Sequence, residues 1–305
     1  MGVPKERINA IRTRYEPASA TEQPKEALAK FRASEPRFRA ELKNALRDSK
    51  WVLTLGAEAF RAVSGRRKFW PYIGAPLDLD LDLESTTCLP TWSPGFTKTK
   101  GGVSYARLFE THVRRFAYLA PGRLERWRWP PLYVDNDFDA ESALARIASS
   151  TEPVGVDIET DGITLDADLT CIGFATRTDA VSVSIPAATE RLEGLARQVL
   201  AQPLRKKVWQ NGSFDRYTLR HKGYEVSGLD EDTLLQHSIL EPHHKHTLGF
   251  IASSYFHVEA WKAEHESDSE LNKTSKFGRS RDTRVYNVKD ALMQCLLENH
   301  MGALL

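Results

Sequence analysis

The sequence predicts an α/β protein in two parts: a larger domain with a mixed central sheet, preceded by a smaller α/β domain. Three observations predict it. Beyond about residue 136, three apolar strand-like runs follow one another before helix and strand begin to alternate. Upstream, short strand signals are separated by helices of their own. Between the two parts, "PGRLERWRWPPLYVDN" carries Pro121, Gly122, Pro130 and Pro131, the composition of a linker. The division therefore falls between residues 1–135 and 136–305.

The elements follow in order. Residues 25–50 read as two amphipathic helices split near Pro36. "WVLTLG" is a buried strand ending at Gly56, and "AEAFRAVSG" a helix stopped by Gly65. "RRKFWPYIGAPLDLDLD" reads as a loop or hairpin, "CLPTWSPGF" as a strand and turn, and "SYARLFETHVRRFAYLA" as an amphipathic helix. In the second part "FDAESALARIAS" is a helix, followed by the strands "VGVDIET", "LTCIGFAT" and "AVSVSIP". A helix "TERLEGLARQVLAQ", a strand "KKVWQNG" and a helix "SFDRYTLRHKG" come next, then the helices "DTLLQHSILEP" and "TLGFIASSYF". The final helix is expected from about Thr283 to Met301.

Bulk properties narrow the function. With 305 residues, 41% hydrophobic and 27% charged, the chain has the balance of a globular protein with ample core. No apolar run is long enough for a membrane span, and "MGVPKERINAIRTRYEP" has no apolar signal core. The expected setting is therefore the cytoplasm, with no membrane partner. Three widely spaced cysteines, Cys88, Cys171 and Cys295, argue against a disulfide framework or a cysteine zinc site. A net charge of +1 gives no global signal for nucleic acid, so that signal must be local.

The local signal is acidic. Residues two apart on a strand face the same side, so Asp157 and Glu159 present two carboxylates together. Like charges so placed repel, and a bound cation removes the conflict; hard oxygen ligands suit Mg²⁺ or Mn²⁺. A lone D-x-E is more readily a turn cap beside a solvated glutamate. Downstream, "NGSFD" places Asp215 in the first turn of a helix, with Asn211 and Ser213 as candidate caps. "YNVKD" places Tyr286 and Asp290 four residues apart on one face of the last helix. Together these residues describe a two-metal site with a hydroxyl that positions water.

"VDIET", "NGSFD" and "YNVKD", in that order, resemble the three motifs of DEDD-type 3′–5′ exonucleases, in the subgroup with a tyrosine. More closely, residues 136–305 resemble the proofreading exonuclease domain of family A DNA polymerases; "VSIP", "DTLLQHSILEP" and "HTLGFIA" match the surrounding pattern. The resemblance implies a ribonuclease H-like domain and two divalent cations, Mg²⁺ or Mn²⁺. Asp157, Glu159 and Asp290 would hold one. Asp157 would touch the second, with Asp215 acting through water. Tyr286 would orient the attacking water, since a phenol near pKa 10 is a poor base at neutral pH. The implied substrate is DNA, at single-stranded 3′ ends, with a DNA polymerase or other replication protein as partner.

Substrate-binding candidates surround this set. Thr160 adjoins the acidic pair, and Asn211 is read either as a contact to the terminal nucleotide or as a helix cap. Lys276 and Arg281 belong to "NKTSKFGRSRDTR", a basic stretch expected to form a mobile loop over the substrate. Asp232 is expected to cap a helix rather than hold metal. His243, His244 and His246 are expected on a surface loop. In the first part, residues 36–120 resemble the C-terminal half of a uracil-DNA glycosylase-like domain. There Ser93-Pro94 stands where that family typically has His-Pro, so a non-catalytic role is expected. Arg66, Arg67, Lys68, Arg114 and Arg115 are its candidate phosphate contacts. Two alternatives stand beside the DNA exonuclease: an exoribonuclease of the same chemistry, and a nucleic-acid-binding accessory protein.

Overall fold

The structure, a computed structural model, describes residues 40–42, 44–46, 48–66, 68–79, 86–164, 166–263 and 276–305, without the side chains of 276–281. The two helices expected between residues 25 and 50 lie largely outside these residues. Two compact units divide the chain: residues 1–127 with 256–260, and residues 128–255 with 261–305. The boundary thus falls upstream of the expected 135/136. Its cause is a short strand, Leu132–Tyr133, inside the proline-rich stretch read as linker; it pairs with the sheet of the second unit.

In the first unit, β1 (Trp51–Leu55) runs parallel to β3 (Thr87–Thr91), and β2 (Leu77–Asp78) pairs antiparallel on β3's other side. α1 (Ala57–Ser64) ends where Gly65 adopts a left-handed conformation, φ 70°, as its glycine forecast. α2 (Ala106–Leu119) buries His112, which stacks on Trp92 and bonds Thr91 Oγ1 at 3.1 Å. Burial drives the His112 pKa down to about 3, so it packs as a neutral ring. Arg115, read as a phosphate contact, is instead buried on the same helix and donates to the Gly74 carbonyl at 2.9 Å. It organises the turn before β2.

The second unit carries a six-stranded mixed sheet. Its order is β4 (Leu132–Tyr133), β7 (Ala180–Ser184), β6 (Leu169–Ala175), β5 (Val154–Thr160), β8 (Lys206–Trp209) and β9 (Leu229–Asp232). β5, β6 and β7 form the expected antiparallel meander, while β8 and β9 add parallel pairings beside β5. The acidic "LDED" of β9 makes an edge strand that reads as a loop in sequence.

Strand alternation gives the sheet two unlike faces. One carries Val154, Val156, Ile158, Ile172, Phe174, Val181 and Val183, all in one core cluster with the apolar stripes of α3 (Phe138–Ser149) and α4 (Glu190–Ala201). Asp137 and Thr189 cap these two helices through their side chains. The register places Gly155, Asp157 and Glu159 on the other face, beside Ala175, Gly173 and Cys171 of β6 and Ala180, Ser182 and Ser184 of β7. Small side chains there let the long helix α8 (Lys276–Met301) lie close on the sheet. A Cβ on Gly155 would stand 1.9 Å from the Ala291 carbonyl oxygen, and one on Gly173 2.7 Å from Asn287 Oδ1. Val288, Ala291 and Leu292 then pack on Ala175 and Ala180.

α8 begins at Lys276, so residues 276–284 are helical rather than the expected loop. No proline interrupts them, and lysine and arginine favour helix enough to carry Gly278. Residues 264–275 lie outside the described ones. α5 (Ser213–His221), α6 (Thr233–Leu240) and α7 (Leu248–Tyr255) occupy their expected places.

The backbone clash at Gly155 cannot be relieved by turning a side chain. Gly155→Ala is therefore expected to cost about 3 kcal/mol in chemical denaturation. Gly194→Ala, in the middle of α4 with nothing within 4 Å of the added methyl, is expected to stabilise by up to about 1 kcal/mol. Equal effects at the two positions would contradict the close packing of α8.

Candidate active site

The acidic site lies where β5 meets α8. Asp157 sits on β5 facing the helix, and its carboxylate is received there by amides. Asn287 Nδ2 donates to Asp157 Oδ2 at 2.9 Å and to its backbone carbonyl at 3.0 Å, while Gln294 Nε2 donates to Oδ1 at 3.1 Å. Ser182 Oγ fixes Asn287 by donating to its Oδ1 at 2.6 Å. Asn287 and Gln294 are seven residues apart on one face of α8, which is why both reach a single carboxylate.

Asp290 follows Asn287 by three residues and is 3% exposed. Its Oδ1 accepts from Trp261 Nε1 at 2.7 Å, and its Oδ2 accepts from Lys262 Nζ. The same ammonium donates to Tyr286 Oη at 2.6 Å and lies 4.6 Å from that ring's centroid. Residues 261–263 form a helical turn that delivers both donors.

Asp215 enters from the first turn of α5, and its Oδ1 accepts from the Ile158 amide of β5 at 3.3 Å. The helix start is built differently from the expectation. Neither Asn211 nor Ser213 caps it; the N-cap is Gly212, with no side-chain cap bond. Asn211 instead turns the chain at φ 57°, a left-handed conformation that asparagine tolerates. Asp232 holds this turn by accepting from the amides of Asn211 and Gly212, both at 3.0 Å, and caps α6 through the Leu234 amide, as expected of it. Thr160 donates to the Gly162 carbonyl at 2.5 Å, just past the β5–β6 register shift.

The electrostatics record how near the acids are. Burial, then the charges of Asp290, Asp215 and Glu159, hold Asp157 well above the usual carboxylate range. Burial first, then Asp290, raise Glu159 to about 7, and burial raises Asp215 to about 6. Burial opposes the charge on Lys262, but Asp290, Tyr286 and Asp157 outweigh it and hold its pKa above the ordinary value. Burial, then Asp290, push the Tyr286 phenol up, so it keeps its proton. Cys171, opposite Glu159, is pushed up to about 12 by burial and stays a thiol.

The donor set suits a hard divalent cation. Four carboxylates offer oxygen, the neighbouring sulfur is protonated, and Lys262 lies among them as a stand-in positive charge. Among the described residues, no three acidic, histidine or cysteine side chains are gathered tightly enough to hold a metal as they stand. Asp157, Glu159, Asp215 and Asp290 are the residues that could supply its oxygens.

Sequence spacing singled out Asp157, Glu159, Asp215, Tyr286 and Asp290, and the fold brings these five near one another. The side chains of Lys276 and Arg281 lie outside the described residues. Trp261, Lys262, Asn287 and Gln294 were missed; the two amides stood in plain view on the helix that carries Tyr286 and Asp290. The histidine stretch also differs from a plain surface loop. His244 is 8% exposed, and His246 Nδ1 lies 2.7 Å from His237 Nδ1 of α6. Among the described residues, no helix is long and apolar enough to cross a membrane.

An acidic cluster on an inner strand, covered by a helix that brings a hydroxyl beside it, is an arrangement that can hold divalent cations for phosphodiester cleavage. The chain belongs to the 3′–5′ exonuclease family of the DNA polymerase A class, whose model matches residues 131–305. DNA polymerase I of Synechocystis sp. is 33% identical over 113 residues, covering 34% of this chain and 12% of the polymerase. The chain therefore spans only about an eighth of that relative's length. Among solved structures, RNase D of Escherichia coli matches with a TM-score of 0.44 and 14% identity, over 58% of this chain and 45% of that one. The catalytic core of RRP6 from Trypanosoma brucei matches with a TM-score of 0.42 and 20% identity, over 57% and 47%.

Raised carboxyl pKa values set the sign of a pH effect. Between about pH 4, where free carboxyls titrate, and about 7, the value at Glu159, the folded state binds more protons than the unfolded one. Stability of the metal-free protein is therefore present at low pH and lost as pH rises through that window. The melting temperature in EDTA is expected to fall between pH 5 and pH 8, and Mn²⁺ to restore it most at pH 8. A rise with pH in EDTA would contradict the site.

Proposed function

We propose that this exonuclease hydrolyses phosphodiester bonds at DNA 3′ ends with the help of two divalent cations, Mg²⁺ or Mn²⁺, in DNA replication or repair. The observation that carries the reading is the convergence of Asp157, Glu159, Asp215 and Asp290 beside the Tyr286 hydroxyl. DNA is favoured over RNA because the likeness at the level of sequence is to a DNA polymerase.

Asp157, Glu159 and Asp290 would hold one cation, and Asp157 with Asp215 the other. Bound there, such cations lower the pKa of a coordinated water and stabilise the departing 3′ oxygen. The remaining work falls to the chain itself. Tyr286 stays protonated and cannot act as the base. Since an ammonium has no lone pair, the phenol is the acceptor in its bond to Lys262, and its own proton is donated elsewhere. That donation orients the attacking water or the scissile phosphate. Asn287 and Gln294 set the angle of the Asp157 carboxylate, and Ser182 sets Asn287. Half-buried Thr160 and exposed Asn211 are the side chains we assign to contact with the terminal nucleotide. In the first unit, residues 36–120 serve as a non-catalytic glycosylase-like module.

The test is a 5′-labelled single-stranded DNA and a matched RNA, incubated with protein in Mg²⁺, Mn²⁺ or EDTA. Metal-dependent stepwise shortening of DNA, much slower on RNA, is expected. Asp157→Asn is expected to slow it about a thousandfold or more, and Tyr286→Phe about ten- to a hundredfold. Faster RNA shortening would make the protein an exoribonuclease. Undiminished activity in Asp157→Asn would sink the site assignment.

A further inference from the structure

Donors from one short stretch take both oxygens of Asp290: Trp261 Nε1 binds Oδ1, and Lys262 Nζ binds Oδ2. The two donors differ in kind. The indole is rigid and buried, with Trp261 4% exposed. The lysine rides on a flexible four-carbon stem, and its side chain is 27% exposed. Its charge is also felt at Asp157 and Glu159, so it serves the whole acidic cluster rather than one partner.

An ammonium and a divalent cation seek the same oxygens. They cannot share Asp290 Oδ2 at close range, because like charges a few ångströms apart repel strongly where water is scarce. One must leave for the other to bind. Trp261 is a rigid, buried ring; Lys262 has a flexible stem and a partly exposed side chain.

We propose that Lys262 is a built-in counter-ion that keeps the place of the divalent cation, and that metal binding is an exchange in which its ammonium withdraws from Asp290. This rests on the exonuclease reading above. While Lys262 is in place, it offsets the repulsion among the acids and holds the Tyr286 hydroxyl. The acids therefore need not be gathered into a tight metal-binding group in advance. When it withdraws, Asp290 Oδ2 becomes available to the cation and Tyr286 loses a donor, releasing the phenol toward substrate. The exchange makes the metal compete with a tethered cation, so affinity is weaker than four carboxylates alone would give.

The test is calorimetric titration of the full chain with Mn²⁺ at pH 8, in wild type, Lys262→Met and Lys262→Arg. Lys262→Met, which keeps the length and loses the charge, is expected to bind Mn²⁺ about tenfold tighter or more. Lys262→Arg, which keeps the charge, is expected to bind no tighter than wild type. Metal-free Lys262→Met is also expected to melt below wild type, with saturating Mn²⁺ closing the gap. If that variant melts too low to titrate, the Mn²⁺ dependence of its melting temperature yields the same comparison. Unchanged or weaker Mn²⁺ binding in Lys262→Met overturns the exchange, as does an arginine variant as tight as the methionine one. Wild type that binds Mn²⁺ without a gain in Lys262→Met overturns the exchange alone. Absence of Mn²⁺ binding in all three proteins overturns the metal site as well.

Discussion

The site depends on how closely α8 lies on the sheet. Gly155 and Gly173 leave no Cβ in the way, so the helix backbone rests directly on β5 and β6. Larger residues on that face would lift the helix and carry Asp290 away from Asp157. The same approach lets Asn287 bond both the Asp157 side chain and its backbone carbonyl. The opposite face, rich in valine, isoleucine and phenylalanine, anchors the strands against α3 and α4. One face supplies cohesion, and the other gives up bulk so that chemistry can be placed there.

The cost of that placement is electrostatic. Four carboxylates near one another, partly out of water, cannot all stay ionised without compensation. The fold compensates with neutral donors at Asp157, a backbone amide at Asp215, and an indole and an ammonium at Asp290. Glu159 has the least help from hydrogen bonds and titrates near neutrality. A site so arranged is strained by its own charge and gains from any added cation. The amides aim the carboxylates, and the remaining charge makes the site receptive.

Much of this was legible in the sequence where a short-range rule connected residue to position. Period-two alternation put Asp157 and Glu159 on one side of a strand, and four-residue spacing put Tyr286 over Asp290. Asp215 followed from a strand-to-helix junction. Other features obey no local rule. Lys262 and Trp261 sit in "VEAWKAE", which has no periodicity to mark it, and reach the site only through tertiary folding. Asn287 and Gln294 look like ordinary polar residues of a helix until the sheet beneath is known. β4 hid in a proline-rich stretch and β9 in an acidic one, because two-residue and edge strands lack the apolar signature of inner ones. The caps expected of Asn211 and Ser213 failed for a related reason. Asp232, distant in sequence, satisfies the turn amides there.

Everything proposed for this chain turns on these carboxylates forming a divalent-cation site against α8. The most direct measurement is anomalous scattering from a crystal of the protein soaked in Mn²⁺. A manganese peak bounded by Asp157, Glu159 and Asp290 is expected, with the Lys262 ammonium moved off Asp290. Ordered carboxylates with no peak among them, and Lys262 still bound to Asp290 at saturating Mn²⁺, would contradict it.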